Sequence, residues 1–531
     1  MPVNPQRDLA EGLRRAQAAA ATDILRSAQL PRRDRTRLQQ RGFLVEIIKG
    51  WYALTTPQAR PGDTAFWHLH FWAFVAAYLQ RRYGERYCLS PEHSLDLWTA
   101  GTQTPKQLIV LTARGGVFTL TLPNDSSILL YPNPKGLPAT ADTRQGVRVM
   151  PLALALIRTT PSYFTRSATN AELALRLVRP EELSRAFLAG EINVSAANRI
   201  IGGLRHLGLD ESAARLEADL LAGGVPVKPE NPFAEPARLS VGAILQTPYA
   251  GRIEALWTQM RPDVLAHFPA PPRSQPAPSR YMQRVDEIYA YDAYHSLSIE
   301  GYQVTAQLIQ RIAEGAWDPA ANPQDQAQVN TMAAKGYQEA FQQVLRSVRD
   351  VLQGQSSGKV ADRDLQGWYR ALFRPSVQAG ILPAAALAGY RERRVFIRGS
   401  EHVPPATEAV PALMEALFGA LSRETSAAVR AVLGHFIFVY IHPYADGNGR
   451  IGRFLMNLML ASGGYNWTVI RVEHRQDYMA SLEKASVQSG IAAFTKFVAK
   501  EMKASAKLRP SAMFPNRTAS ARSSTPPRQR R

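Results

Sequence analysis

Near its C-terminal end the chain carries HPYADGNGRIGR, His442 to Arg453, a stretch rich in glycine and charge with an apolar run on either side. Ala431 to Ile441 leads into it and Phe454 to Leu460 follows. This pattern calls for two buried helices bracketing one loop, because a packed pair of elements holds intervening polar groups rigidly in a pocket. The surrounding chain agrees. From about Leu239 to Met502 the pattern is mostly helical, broken at Gly389 to Pro405 by RRVFIRG, whose alternation predicts a short hairpin. An all-α domain with a β flap is therefore expected over residues 239–505.

Each residue type in the polar stretch suits phosphate chemistry. Gly447 and Gly449 permit backbone conformations that turn peptide N–H groups toward an anion, and Asn448 adds a side-chain donor. A helix starting near Gly449 contributes its N-terminal dipole. Arg450 and Arg453 supply forked cationic donors for the remaining oxygens. Asp446 is a hard oxygen ligand suited to Mg²⁺ on a bound phosphate, and His442 is the group able to take a proton near neutral pH. Alone, such a histidine is more often a core residue and DGNG a turn; it is their joint spacing that points to nucleotide transfer. A zinc cluster of His442 with His402, His435 and His474 is set aside, since those spacings match no common zinc pattern.

With only Tyr444 in place of the usual Phe, the segment resembles the Fic family signature, His-Pro-Phe-x-Asp/Glu-Gly-Asn-Gly-Arg-x-x-Arg. Two further stretches resemble the same family. Gly389 to Met414 is similar to the Fic flap and the helix after it, a hairpin that docks a target segment by strand addition. SLSIEG, Ser296 to Gly301, is similar to the family's inhibitory motif, with Ser296 and Glu300 four apart and so on one helical face. The resemblance implies a nucleotidyltransferase that moves AMP from ATP, with Mg²⁺, onto a Ser, Thr or Tyr hydroxyl of a target protein, itself included. His442 would be the base; Asp446, Gly447, Asn448, Gly449, Arg450 and Arg453 would hold the nucleotide. Glu300 would deny Arg453 to the γ-phosphate, with relief by partner binding or a change of oligomer. Tyr478 would wall the base pocket, a core aromatic being the equal alternative. Three rival activities stay open: phosphotransfer, as in Doc-like relatives, which the intact Gly447 to Arg450 argues against; removal of AMP; and a DNA-binding regulator that only senses nucleotide.

The net charge of +19 is uneven: residues 1–57 hold ten Lys or Arg against five Asp or Glu, and residues 507–531 hold seven against none. Both ends attract polyanions. Helical patterning over Leu9 to Ser27, a basic segment Arg32 to Gly42, and two β-rich runs flanking Lys49-Gly50 follow the order of a winged helix. Arg32, Arg33, Arg35, Arg37, Arg41 and Lys49 are its candidate duplex-DNA contacts, weighed against a merely solvated helix face. Through LQQRGFLVEIIKGWYAL and CLSPEHSLDLW, the region from Ala21 to Thr160 resembles AbiEi-type antitoxins. Expected domains are thus a winged helix over 1–57, a small α+β unit over 58–165, a helical connector over 166–222, a linker over 223–238, the Fic domain, and a disordered basic tail over 506–531.

Hydrophobic residues at 45% and charged residues at 20% leave ample material for cores, which excludes a chain disordered throughout. No apolar run approaches the ~20 residues that span a bilayer, and the N-terminal stretch lacks the pattern of a secretory signal. Cys88 is the only cysteine, so no intrachain disulfide forms, which fits a reducing compartment. The sequence therefore predicts a multidomain, mainly α, cytoplasmic protein.

Overall fold

The computed structural model describes residues 5–20, 22–55, 65–190, 193–234, 236–237, 239, 245–314, 329–395, 397 and 399–508. Two compact units are present: Met1–Thr258 with Arg394–Ala409, and Gln259–Arg393 with Val410–Arg531.

In the first unit the helix Pro5–Ala19 stops well short of the predicted Ser27. Thr22 and Asp23 both take left-handed backbone, φ 55° and 65°, which no helix accommodates. The chain turns there and Ile24–Arg26 becomes strand β1. After the helix Arg32–Gln40 come β2, Leu44–Ile48, and β3, Trp51–Leu54, joined at Lys49-Gly50 as the sequence predicts. Strand β3 is central in an antiparallel sheet ordered β1-β3-β2. Ala16, Leu25, Leu30, Leu38, Leu44 and Tyr52 form its small core.

The helix Ala65–Tyr83 buries Trp67, Phe71, Phe74 and Leu79 in a second core that a four-stranded sheet completes. Its strands are β4 (Tyr87–Leu89), β5 (Gln107–Thr112), β6 (Phe118–Thr121) and β7 (Ser127–Pro132), ordered β4-β5-β7-β6 with only β5 and β7 parallel. Two short strands, β8 (Asp142–Arg144) and β9 (Val147–Val149), pair beyond it. Strand β9 ends at Val149, and Pro151 caps the buried helix Leu152–Arg158 that follows. Helices Ala168–Leu177, Pro180–Leu188, Val194–His206 and Asp210–Ala222 then enclose a third core.

Residues 389–405 differ from the predicted hairpin, since among the described residues no strand lies there. Backbone groups that a hairpin would pair are used elsewhere: the Arg391 N–H bonds to Pro443 O at 2.9 Å, and the Val403 N–H to Thr102 O at 3.2 Å. Phe396, Arg398 and the basic tail beyond Leu508 lie outside the described residues. No described helix is long and apolar enough to cross a membrane.

At the centre of the second unit are the helices Ala427–Ile441 and Asn448–Ser462, buried on nearly every face. Ser426 starts the first by accepting from the Val429 N–H at 3.3 Å, and Pro443 prevents its continuation. Each fully buried Leu, Phe, Met or Val stabilises the unit by ~1.5–3 kcal/mol relative to exposure. Around this pair lie Val329–Leu352 and Ser357–Gln378. Those two helices approach so closely that a Cβ at Gly336 would land on the carbonyl oxygen of Leu372. Gly336→Ala is therefore expected to destabilise this unit by about 1–3 kcal/mol through overpacking. A lowered denaturant midpoint at unchanged slope checks this; an unchanged midpoint means that the helices separate at little cost.

Candidate active site

The loop from His442 to Gly447 joins the two central helices and reverses the chain at both ends. His442 caps Ala427–Ile441 in left-handed backbone, φ 52° and ψ 59°, and the proline after it excludes right-handed helical geometry. Gly447 caps the next helix at φ 79°. Only glycine suits this position, because a Cβ there would also stand 2.7 Å from the Phe373 ring. Asn448 is buried and staples the loop: its Oδ1 accepts from the Tyr444 N–H at 3.0 Å and its Nδ2 donates to Tyr444 O at 2.8 Å. The amide thus fixes loop shape before any ligand arrives.

His442 Nδ1 lies 3.3 Å from Val439 O. A carbonyl only accepts, so Nδ1 carries the proton and Nε2 keeps its lone pair. Burial pushes the imidazole pKa down to about 4, against the opposing bond to Val439 O. The ring is neutral at physiological pH and able to accept a proton.

Asp446 is largely exposed; its Oδ1 accepts from the Gly447 N–H at 2.6 Å and its Oδ2 lies 3.3 Å from Arg450 Nη2. Arg450 is buried between two rings, its guanidinium carbon 5.0 Å from the Tyr302 centroid and 5.1 Å from that of Phe373. Arg453, 4% exposed, is gripped by the helix Pro278–Ile299 and its cap: Nε donates to Ser296 Oγ at 2.9 Å, and Nη2 donates to Ser296 O at 3.0 Å and Glu300 Oε1 at 2.7 Å. Glu300 Oε1 sits over the first turn of Asn448–Ser462, where a Cβ on Gly449 would collide with it. A carboxylate thus occupies the place where a helix N-terminus and a buried arginine attract an anion.

Ser296, Glu300, His442, Asp446, Gly447, Asn448, Gly449, Arg450 and Arg453 are accordingly brought together. Tyr478 lies deeper, 1% exposed, its hydroxyl 2.7 Å from His435 Nε2, beside Phe494 and Phe497. The candidate DNA-contact residues belong to the first unit. There Asp8 pairs with Arg33 at 3.0 Å and Arg37 at 3.1 Å, and Arg35 donates to Ser27 O at 2.8 Å, while Arg32, Arg41 and Lys49 are exposed. Among the described residues no group of three or more His, Cys, Asp or Glu is arranged to hold a metal. Sequence reasoning missed Tyr302 and Phe373 around Arg450, and Arg391, whose Nε donates to His442 O at 2.8 Å. These come from separate segments and share no local pattern with the loop.

Residues 360–460 match the Fic/DOC family. The chain carries a Fic domain. It is similar to protein adenylyltransferase Fic of Nematostella vectensis, 32% identical over 234 residues that make up 43% of this chain and 50% of that protein. The protein of the same name from Culex quinquefasciatus is 35% identical over 114 residues, 21% of this chain and 22% of that one. The chain thus spans half or less of the length of these curated relatives. Among solved structures, a Fic domain containing signaling protein from Bacteroides thetaiotaomicron is 18% identical with TM-score 0.35, covering 49% of this chain and 96% of that one. Fic-1 from C. elegans is 19% identical with TM-score 0.35, covering 64% and 90%.

Tyr444, the one departure from the usual signature, stacks on Tyr369 with centroids 3.8 Å apart and planes 6° from parallel. Its hydroxyl is buried with no hydrogen-bond partner among the described residues. An unsatisfied buried hydroxyl costs about 1–3 kcal/mol, so Tyr444→Phe is expected to raise stability, by roughly 1 kcal/mol after loss of some packing. Thermal or denaturant unfolding of the two proteins decides it; a less stable variant means that the hydroxyl is satisfied by water.

Proposed function

We propose that the chain is a protein adenylyltransferase that moves AMP from ATP to a Ser, Thr or Tyr hydroxyl of a target protein and is held silent by Glu300. The observation that carries this reading is the Glu300 carboxylate on Arg453 at 2.7 Å, over the first turn of the helix after the loop. It fills from within a site whose groups suit a polyphosphate. The similarity to adenylyltransferases named Fic supports the same chemistry.

In the proposed reaction His442 Nε2 takes the proton of the target hydroxyl as its oxygen attacks the α-phosphorus of ATP. The bond from that phosphorus to the bridging oxygen breaks in line, and pyrophosphate leaves. Arg450 and the N–H groups at the helix start stabilise charge on the phosphates, while Arg453, once released by Glu300, aligns the γ-phosphate. Asp446 fits Mg²⁺, since it is exposed and has one oxygen already oriented by the Gly447 N–H. When bound, that ion would neutralise phosphate charge.

Glu300→Gly is expected to raise labelling of protein from α-labelled ATP at least tenfold, self-labelling included, and His442→Ala in that background to abolish it while ATP affinity stays within about threefold. Equal labelling by wild type and Glu300→Gly at saturating ATP and Mg²⁺ would rule out the autoinhibited reading. Tight ATP binding without label transfer would favour a nucleotide sensor.

The N-terminal elements support a second role, binding of duplex DNA by a winged helix. Its basis is the order of helices and strands with exposed Arg32, Arg41 and Lys49 along one helix and its hairpin. Because neutralised phosphates release counterions at a log–log slope of about −0.9 per contact, replacing Arg32 and Arg41 together should flatten the salt dependence by about two. An unchanged slope assigns any DNA affinity to other basic segments.

A further inference from the structure

We propose that Arg391 is a positioning residue for the transfer reaction, holding the catalytic loop in its reversed shape and with it the backbone of His442. This rests on the adenylyltransferase reading for its kinetic part and on geometry alone for the rest. A helix ends with carbonyls that have no intrahelical donor. At the end of Ala427–Ile441 the carbonyls of His442 and Pro443 fall to a single residue. The Arg391 Nε donates to His442 O at 2.8 Å, and the Arg391 backbone N–H donates to Pro443 O at 2.9 Å. The two successive peptide units that follow the base are therefore tied to one side chain and its own backbone.

Three features make this more than ordinary packing. Arg391 is only 6% exposed, and buried arginine is costly unless its donors are used. The residue it grips is in left-handed backbone, φ 52°, a conformation that non-glycine residues keep only when surroundings enforce it. The guanidinium is also a cation close to the imidazole and disfavours a second positive charge there, adding to burial in lowering the His442 pKa. The other charged groups that bear on the ring, Glu300 and Asp446, act in the opposite direction. One residue thus holds the backbone that carries the imidazole and adds to the burial that keeps the ring neutral. Displacing a reacting group by ~1 Å costs up to about a hundredfold in rate.

The test compares Arg391→Met, which keeps the stem and loses the charge, with Arg391→Lys, which keeps the charge and loses the fork. In the full chain, the His442 ring proton titration followed by NMR should move upward in Arg391→Met, while burial still holds it below the ordinary histidine value, and stay unmoved in Arg391→Lys. In the Glu300→Gly background, Arg391→Met should lower kcat at least about tenfold, with KM for ATP within about threefold and the acid limb of the pH profile moved upward; Arg391→Lys should recover part of kcat. A folded Arg391→Met variant with unchanged His442 titration and unchanged pH profile would overturn the proposal. If Arg391→Met does not fold, Arg391→Lys with kcat and loop stability equal to the parent overturns it. Absence of any labelling in the Glu300→Gly parent would count against the adenylyltransferase reading instead, and the NMR comparison would still decide the role of Arg391.

Discussion

A guanidinium with almost no access to water must have an anion beside it, and that requirement at Arg453 organises the site. An ion pair exposed to solvent contributes little, but removing one partner of a buried pair leaves a charge whose cost reaches several kcal/mol. Arg453 stands on the second turn of Asn448–Ser462, and the carboxylate that satisfies it lies over the first turn, at that helix N-terminus. In this structure the partner is Glu300, with Ser296 taking Nε and a further share of Nη2. The helix Pro278–Ile299 is thereby drawn against the loop, bringing Tyr302 over Arg450 just beyond its end. Filling this site with a ligand phosphate instead requires that the carboxylate move.

The rigidity of the loop comes from its two ends. Left-handed backbone at His442 and Gly447 reverses the chain twice within six residues, and the Asn448 amide closes the interval through both polar groups of Tyr444. Neither reversal is stable alone. The first is enforced by Pro443 and by the Arg391 donors, the second by absence of a side chain where Phe373 presses in. A neutral imidazole, the N–H groups of the helix start and two buried arginines therefore occupy defined positions without help from a ligand, which is the preorganisation that charge-stabilised transfer demands.

What could be read from the sequence follows from the range of each interaction. The two central helices and their loop were legible because their signal is local: apolar residues on every face, then glycines and charges within twelve positions. The Ser296–Glu300 face was legible as a helical spacing, and its contact with Arg453 only by family resemblance, since the two lie 153 residues apart or more. Arg391, Tyr302 and Phe373 act on the loop from three other segments; Arg391 lies within the flap-like stretch and Tyr302 directly after SLSIEG, but nothing local to either shows which atoms of the loop it meets. In the first unit the hairpin at Lys49-Gly50 had a turn signal, whereas the break at Thr22 and Asp23 had none, neither residue being glycine or proline. At 389–405 the sequence shows alternation, and among the described residues no strand pairs there. Its donors go to Pro443 and Thr102, which no short-range pattern could reveal.

On the adenylyltransferase reading, ATP would meet two states, with Glu300 on Arg453 or away from it. Contacts to Arg450 are available in both and shift nothing, because only differential affinity moves an equilibrium. Arg453 and the first-turn N–H groups under the Glu300 carboxylate would be open to phosphate only in the second. Anything else that shifts this balance acts on the helix that carries Glu300. Two further bonds hold the end of that helix: the Val472 N–H donates to His295 Nδ1 at 3.1 Å, and Arg475 Nε donates to Ile299 O at 2.8 Å. Burial lowers the His295 pKa, so its ring stays neutral and accepting at physiological pH. The segment Arg471 to Arg475 consequently shares with Arg453 the holding of the helix end that carries Glu300.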